Sequence, residues 1–135
     1  MPVRRASIRM HRFAPVHRKL PLRGVPEDQR ASYMSELNVP ISAVQISGEV
    51  RRSVRVGDTG GKVENGFCAK CGSRMFSYAE SLVRHMNIMA TSLDDPSWFR
   101  PSLNIYAAST PPWHQVDRSL PSFDTVPPSN MGAGQ

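Results

Sequence analysis

Two thiols separated by two residues are the part of this sequence best suited to chemistry. The run Phe67-Cys68-Ala69-Lys70-Cys71-Gly72-Ser73 holds both cysteines of the chain. A Cys-x-x-Cys pair on a tight turn presents two thiolates to one zinc ion, and Gly72 supplies backbone freedom that lets amides point at sulfur. Zinc in a structural site takes four ligands, so Cys68 and Cys71 read as half of such a site. The same spacing also fits a pair of buried thiols, or a thioredoxin-like redox pair, although no βαβ pattern surrounds it. His11, His17, His85 and His114 are available in principle to complete the set. His85 falls opposite the Met86/Ile88 face of its strand and reads as a solvated surface histidine. Asp94 and Asp95 suggest a metal or acid–base pair, but in a Leu-Asp-Asp-Pro turn they cap backbone amides and are assigned no catalytic role.

The rest of the chain must hold that turn in place. It has 135 residues, 39% of them hydrophobic, which is one small domain near the lower end of what a single core sustains. No apolar run approaches the roughly 20 residues of a membrane span, and there is no apolar core of a secretory signal. A membrane protein and a secreted disulfide scaffold are both excluded on these grounds. Cysteines this close cannot staple a fold, which points to a reducing compartment, the cytoplasm. The net charge of +6 invites a nucleic-acid reading until it is located. Residues 1–30 carry eight basic residues against Glu27 and Asp28, and so account for all of the excess. The remaining residues are neutral, and the basic character belongs to the N-terminal segment alone.

Residues 1–30 show no sustained period of 2 or 3.6 residues, and Pro2, Pro15, Pro21 and Pro26 interrupt any helix. This segment is expected to be irregular and poorly ordered. From residue 31 the texture changes, and residues 31–126 form the expected domain. Ile41 to Ser47 reads as a short strand and Gly48-Glu49 as a tight turn. Val50 to Val56 follows as a second strand, with Val50, Val54 and Val56 on one face. Residues 57–61 form a glycine-rich loop. Lys62–Phe67 leads into the cysteines and Arg74–Tyr78 leaves them. Leu82, Met86, Ile88 and Ala90 alternate along another strand, and Leu103, Ile105 and Ala107 along the next. Prolines at 96, 101, 111, 112 and 121 exclude long helices from the last third. Residues 127–135 are a Pro/Gly/Ser tail, expected to be disordered. The spacing of short strands predicts an all-β domain without internal repeats.

At this point a resemblance becomes specific. Cys68-Ala-Lys-Cys71-Gly-Ser-Arg-Met-Phe, then Ser92-Leu-Asp-Asp-Pro-Ser-Trp-Phe-Arg-Pro101, Pro112-Trp113 and Leu120-Pro-Ser-Phe123 closely resemble the glutathione-dependent formaldehyde-activating enzyme family, whose domain is shared with centromere protein V. The match runs from about Ala31 to Pro127, with its motifs in the expected order. One departure is Asn104 before Ile105, where members commonly have histidine. The resemblance implies a β-tent fold of antiparallel sheets, with a zinc-knuckle Cys-x-x-Cys and few or no helices. It implies a structural zinc held by two cysteines of an N-terminal Cys-x-Cys and two matching Cys68 and Cys71. It also implies a catalytic zinc on three cysteines of Cys-His-Cys-x-x-Cys, with an open position that lowers a thiol's pKa and polarises a carbonyl. The implied reaction makes or breaks carbon–sulfur bonds of small thiol adducts, such as S-hydroxymethylglutathione from glutathione and formaldehyde.

This chain contains neither Cys-x-Cys nor Cys-His-Cys-x-x-Cys, and the loss coincides with the basic segment. Shifted by one base, Met1-Pro2 must read cysteine, and Val3-Arg4 gives a second where valine is GTG and the arginine codon begins with C. Arg4 through Ile8 then can yield Gly-Ala-Leu-Arg-Phe, the family's opening motif. In the same frame, residues 20–30 can read Cys-His-Cys-x-x-Cys-Arg-Lys-Ile-Ser-Gly. The hypothesis is that residues 1–30 are an out-of-frame translation, with the frame restored near Arg30-Ala31. An organellar transit peptide and a disordered basic arm contacting phosphates are the other readings, and neither accounts for the lost ligands.

As written, the chain is expected to lack the catalytic zinc, to show little or no lyase activity, and to keep at most a weak or shared zinc at Cys68 and Cys71. Loss of N-terminal strands is expected to leave core surface uncovered, giving marginal stability or association. The expected partner is a small thiol such as glutathione, with no membrane and no specific nucleic acid. The competing reading is a non-catalytic zinc-ribbon-like module whose basic arm contacts nucleic acid. A third is a scaffold that binds a partner through Trp98, Phe99 and Trp113, although aromatics are more often core than hot spot.

Overall fold

The computed structural model describes residues 7–10, 16–21, 33–57, 60–125 and 127; of the side chains in the first two strands, only Ile8 and Arg9 are included. Nine strands follow in chain order: β1 (Ser7–Met10), β2 (Val16–Pro21), β3 (Tyr33–Pro40), β4 (Val44–Ser47), β5 (Val50–Val56), β6 (Lys62–Cys68), β7 (Arg74–Ala79), β8 (His85–Met89) and β9 (Leu103–Asn104). Three single 3-10 turns, Ile41–Ala43, Ala90–Ser92 and Ala107–Ser109, are the helical elements among the described residues. The fold is all-β, as the strand spacing predicts. No described helix is long and apolar enough to cross a membrane.

The strands form two sheets. A seven-stranded sheet has the order β5-β6-β7-β8-β3-β2-β9, and a separate ribbon pairs β1 with β4. All pairings are antiparallel except β2 with β9, which run parallel through Arg18–Leu103 and Lys19–Asn104. Alternation sorts the large sheet into two faces. Leu37 lies opposite Ile88, and Ile88 opposite Phe76, so these three share a face. They form the main core with Val39, Met86, Ala90 and Leu93, and with Ile8 from the ribbon. On the other face Met34, Met89, Leu103 and Ile105 make a smaller cluster, with Tyr106 and Phe123 against it. Burying each large aliphatic side chain of this kind contributes about 1.5–3 kcal/mol, which is why β3 and β8, supplying both clusters, organise the sheet.

An irregularity beside the cysteines enriches the main core. Between β6 and β7 the register shifts: Gly66 lies opposite Phe76, but Phe67 opposite Arg74. Met75 is therefore an extra residue, and Met75 and Phe76, though consecutive, both enter the main core.

Several elements differ from expectation. Ile41–Ala43 is a 3-10 turn, and the strand begins only at Val44. Pro40 has no N–H to continue a ladder, and Ile41 N–H instead donates to the Arg84 carbonyl at 2.9 Å. Gly48, at φ +88°, makes a bend rather than a hairpin, because β4 pairs with β1 and β5 with β6. Leu82 precedes β8, and Ala107 falls in a 3-10 turn after a two-residue β9. Residues 1–30 are not irregular throughout: β1 and β2 lie within them, ordered by pairing with β4, β3 and β9. The other residues of that segment, and the tail from Pro128, lie outside the described residues.

Candidate functional site

The cysteine turn joins β6 to β7. Cys68 ends β6, and residues 69–73 close the turn through three backbone bonds. Cys68 N–H donates to the Ser73 carbonyl at 2.9 Å, Gly72 N–H to the Cys68 carbonyl at 2.8 Å, and Ala69 N–H to the Glu49 carbonyl at 3.0 Å. Gly72 sits at φ +73°, a conformation glycine adopts without steric penalty. A Cβ there would meet nothing within 4 Å, so the demand is conformational and not spatial. The Gly72 amide points at a carbonyl oxygen rather than at a sulfur.

The two thiols occupy different environments. Cys68 is 3% exposed and belongs to the main core with Met75 and Phe76. Cys71 is exposed, and its thiol donates to Ser73 Oγ at 3.2 Å. No disulfide joins them. Among the described residues, no group of three or more His, Cys, Asp and Glu side chains is placed to hold a metal ion. With two thiols as the whole cysteine complement, the described residues do not fit a four-ligand zinc site, nor the three-cysteine site implied for a catalytic zinc.

The other candidates lie apart from any such cluster. His85 is exposed, with Nδ1 3.3 Å from the Val83 carbonyl oxygen. His114 stacks at a tilt on Tyr33, ring centroids 4.8 Å apart. His11 lies outside the described residues, as does the side chain of His17 in β2. Asp95 Oδ1 accepts the Ser97 N–H at 3.0 Å, the capping role expected of this turn. Hydrogen bonds from the Ser97 side chain and then its backbone hold the Asp95 carboxyl below the ordinary carboxylate range. Asp94 lies 3.8 Å from Arg9 Nε, and its N–H donates to the Ile8 carbonyl at 3.0 Å. These groups line an open cavity of about 200 Å³ with Ile8, Leu93 and Trp98. Asp94 faces Arg9 across it, and Asp95 is held by Ser97.

Phe99 packs against the main core, whereas Trp113 is 79% exposed. Asn104, at the position where the resemblance gives histidine, is buried. Its Nδ2 donates to the Asp117 carbonyl and to Ser122 Oγ, both at 3.0 Å, clasping the C-terminal segment to β9. Sequence reasoning did not single out the polar residues of the sheet. Glu36, Asn38, Asn65 and Ser77 are all buried, and they stand on the face opposite the main core. Their sequence signal is slight: Glu36 and Asn38 stand two apart in β3, whereas Asn65 in β6 alternates with Val63 and Phe67.

Residues 27–109 match the family model described as glutathione-dependent formaldehyde-activating enzyme. Comparison with the curated proteins gives no match.

Proposed function

Because the chain belongs to the glutathione-dependent formaldehyde-activating enzyme family, we propose that its domain binds a small thiol of the glutathione class in the cytoplasm. We further propose that, as written, it has little or no activity in making or breaking carbon–sulfur bonds of adducts such as S-hydroxymethylglutathione. One observation carries this second half: the chain has two cysteines, both in one turn. The zinc sets implied for the family need several more thiolates than that.

In this reading Cys68 and Cys71 supply two thiolates to a weak or shared zinc, and when bound that zinc would brace the β6–β7 turn. Cys68 holds the turn against the core, and Cys71 faces solvent beside Ser73. No catalytic step is assigned to the metal. The nucleic-acid alternative gains no support from Arg9, the basic residue of the N-terminal segment whose side chain is described, because it faces Asp94.

The test measures metal and activity together. Purified chain is incubated with zinc, bound metal is counted, and formation of the glutathione–formaldehyde adduct is followed by proton NMR exchange. Expected are at most one zinc per chain, readily stripped by a chelator, and a rate equal to the spontaneous one. Two tightly held zinc ions, or a rate 100-fold above the spontaneous one, would overturn the proposal.

A further inference from the structure

Among the described residues β5 pairs with β6 alone and so forms an edge of the large sheet. Two bonds fix which of its main-chain groups face outward. Ala69 N–H donates to the Glu49 carbonyl at 3.0 Å, just before the strand, and Gly57 N–H to the Gly61 carbonyl at 2.8 Å, just after it. Both continue the register that sets Val50 opposite Cys68 and Val56 opposite Lys62. Hydrogen-bonded pairs alternate along an antiparallel ladder. Arg51, Ser53 and Arg55 therefore bond β6, and the N–H and carbonyl groups of Val50, Arg52, Val54 and Val56 point away from it. Side chains add two chemistries to that bare row. Val54 and Val56 are 61% and 70% exposed on one face. On the other stand Arg51 and Arg55, opposite Phe67 and Val63, with no acid across from them. Arg52 differs, because Glu64 holds it. The strand itself, VRRSVRV, contains no acid.

We propose that β5 docks an extended acidic segment of another protein, added antiparallel to it as a further strand. Arg51 and Arg55 fall at the non-hydrogen-bonded positions of the new ladder, where opposed side chains come closest, about 4.5 Å between Cα atoms. Carboxylates there make charge-assisted bonds to the guanidinium groups. Apolar residues of the segment lie beside Val54 on the opposite face, so the matching pattern is acid-apolar-x-apolar-acid. A second copy of this chain fits worse. The antiparallel register that pairs all of β5 with itself centres on Ser53 and sets Arg51 against Arg55 twice, and like charges directly opposite are destabilising. Residues 1–30, which hold the chain's excess of +6, are repelled in the same way. The proposal does not depend on thiol binding.

The probe is a fluorescein-labelled peptide containing Glu-Val-Thr-Val-Glu, followed by anisotropy as the full chain is titrated in. Replacing both glutamates by glutamine should weaken binding at least 10-fold. N-methylating both valines, whose amides face β5, should do the same. N-methylating the threonine, whose amide faces away, should change binding less than about threefold. In the chain, Val54→Pro removes an outward N–H but no bond to β6, and should weaken binding at least 10-fold. Arg51→Ser, at an exposed position, should also weaken it and serves if the proline variant does not fold. If both methylated peptides bind like the parent, the arginines attract acids without strand pairing and the proposal falls. It falls equally if no peptide binds, the arginines then guarding a bare edge, or if the chain is a dimer that Val54→Pro separates, a second copy then being the occupant.

Discussion

At position 66 the chain has room for no side chain. A Cβ on Gly66 would lie 2.2 Å from Phe76 Cζ and within 2.7 Å of two further ring atoms. The ring of the directly opposed residue covers the glycine, and the Arg52 guanidinium sits 5.4 Å from that ring's centroid on the neighbouring strand. Gly66→Ala must therefore displace a fully buried phenylalanine, at a cost of about 1–3 kcal/mol or more. In urea denaturation the midpoint should fall by that cost divided by the slope, with the slope itself unchanged; an unaltered midpoint would mean that the ring has an alternative seat. The sequence shows a glycine before Phe67 but not the reason for it, because its partner is ten residues along and on another strand. The cysteines are the opposite case. Their spacing is local chemistry and legible at once, yet which of the two faces the core follows from the strand's register. Asn65 was not legible either: an isolated polar residue in a strand looks like a solvated one until the sheet is assembled.

At the scale of elements, β5 and β8 were readable from alternating apolar residues, whereas β6 and β7 were legible only as the segments entering and leaving the cysteine turn. The first two strands were not. β1 is four residues long, too short for a period of 2 to declare itself, and β2 is read from its neighbours on either side rather than from its own pattern. β1 nevertheless delivers Ile8, which is fully buried in the main core and bridges Leu93. This bears on the out-of-frame reading. A shifted frame can place phenylalanine at that position, so a core-facing apolar residue is available in either frame. The expected result of sequencing codons 1–31 is that the shifted frame spells both cysteine motifs. Codons that forbid those cysteines would make the basic segment native and its strands a replacement for lost ligands.

At the scale of the molecule, the order β5-β6-β7-β8-β3-β2-β9 places β8 and β3 well inside, each hydrogen-bonded on both sides. They also carry residues of both apolar clusters, so opening them requires breaking the whole sheet. Native-state hydrogen exchange should find the amides of Leu37, Val39 and Ile88 among the slowest, near the limit set by global unfolding. Those of β5, an edge strand with Val54 and Val56 exposed, should exchange faster. Fast exchange in β3 would show that the sheet opens along its middle. The closing strand pair has a further consequence for how the protein is made. β2 leaves the ribosome early, yet its parallel neighbour β9 lies roughly eighty residues downstream. At about 5–20 residues per second, β2 waits on the order of ten seconds with one edge bare. During that interval the nascent chain offers other strands a free ladder, so its yield in a cell depends on what guards that edge while synthesis proceeds.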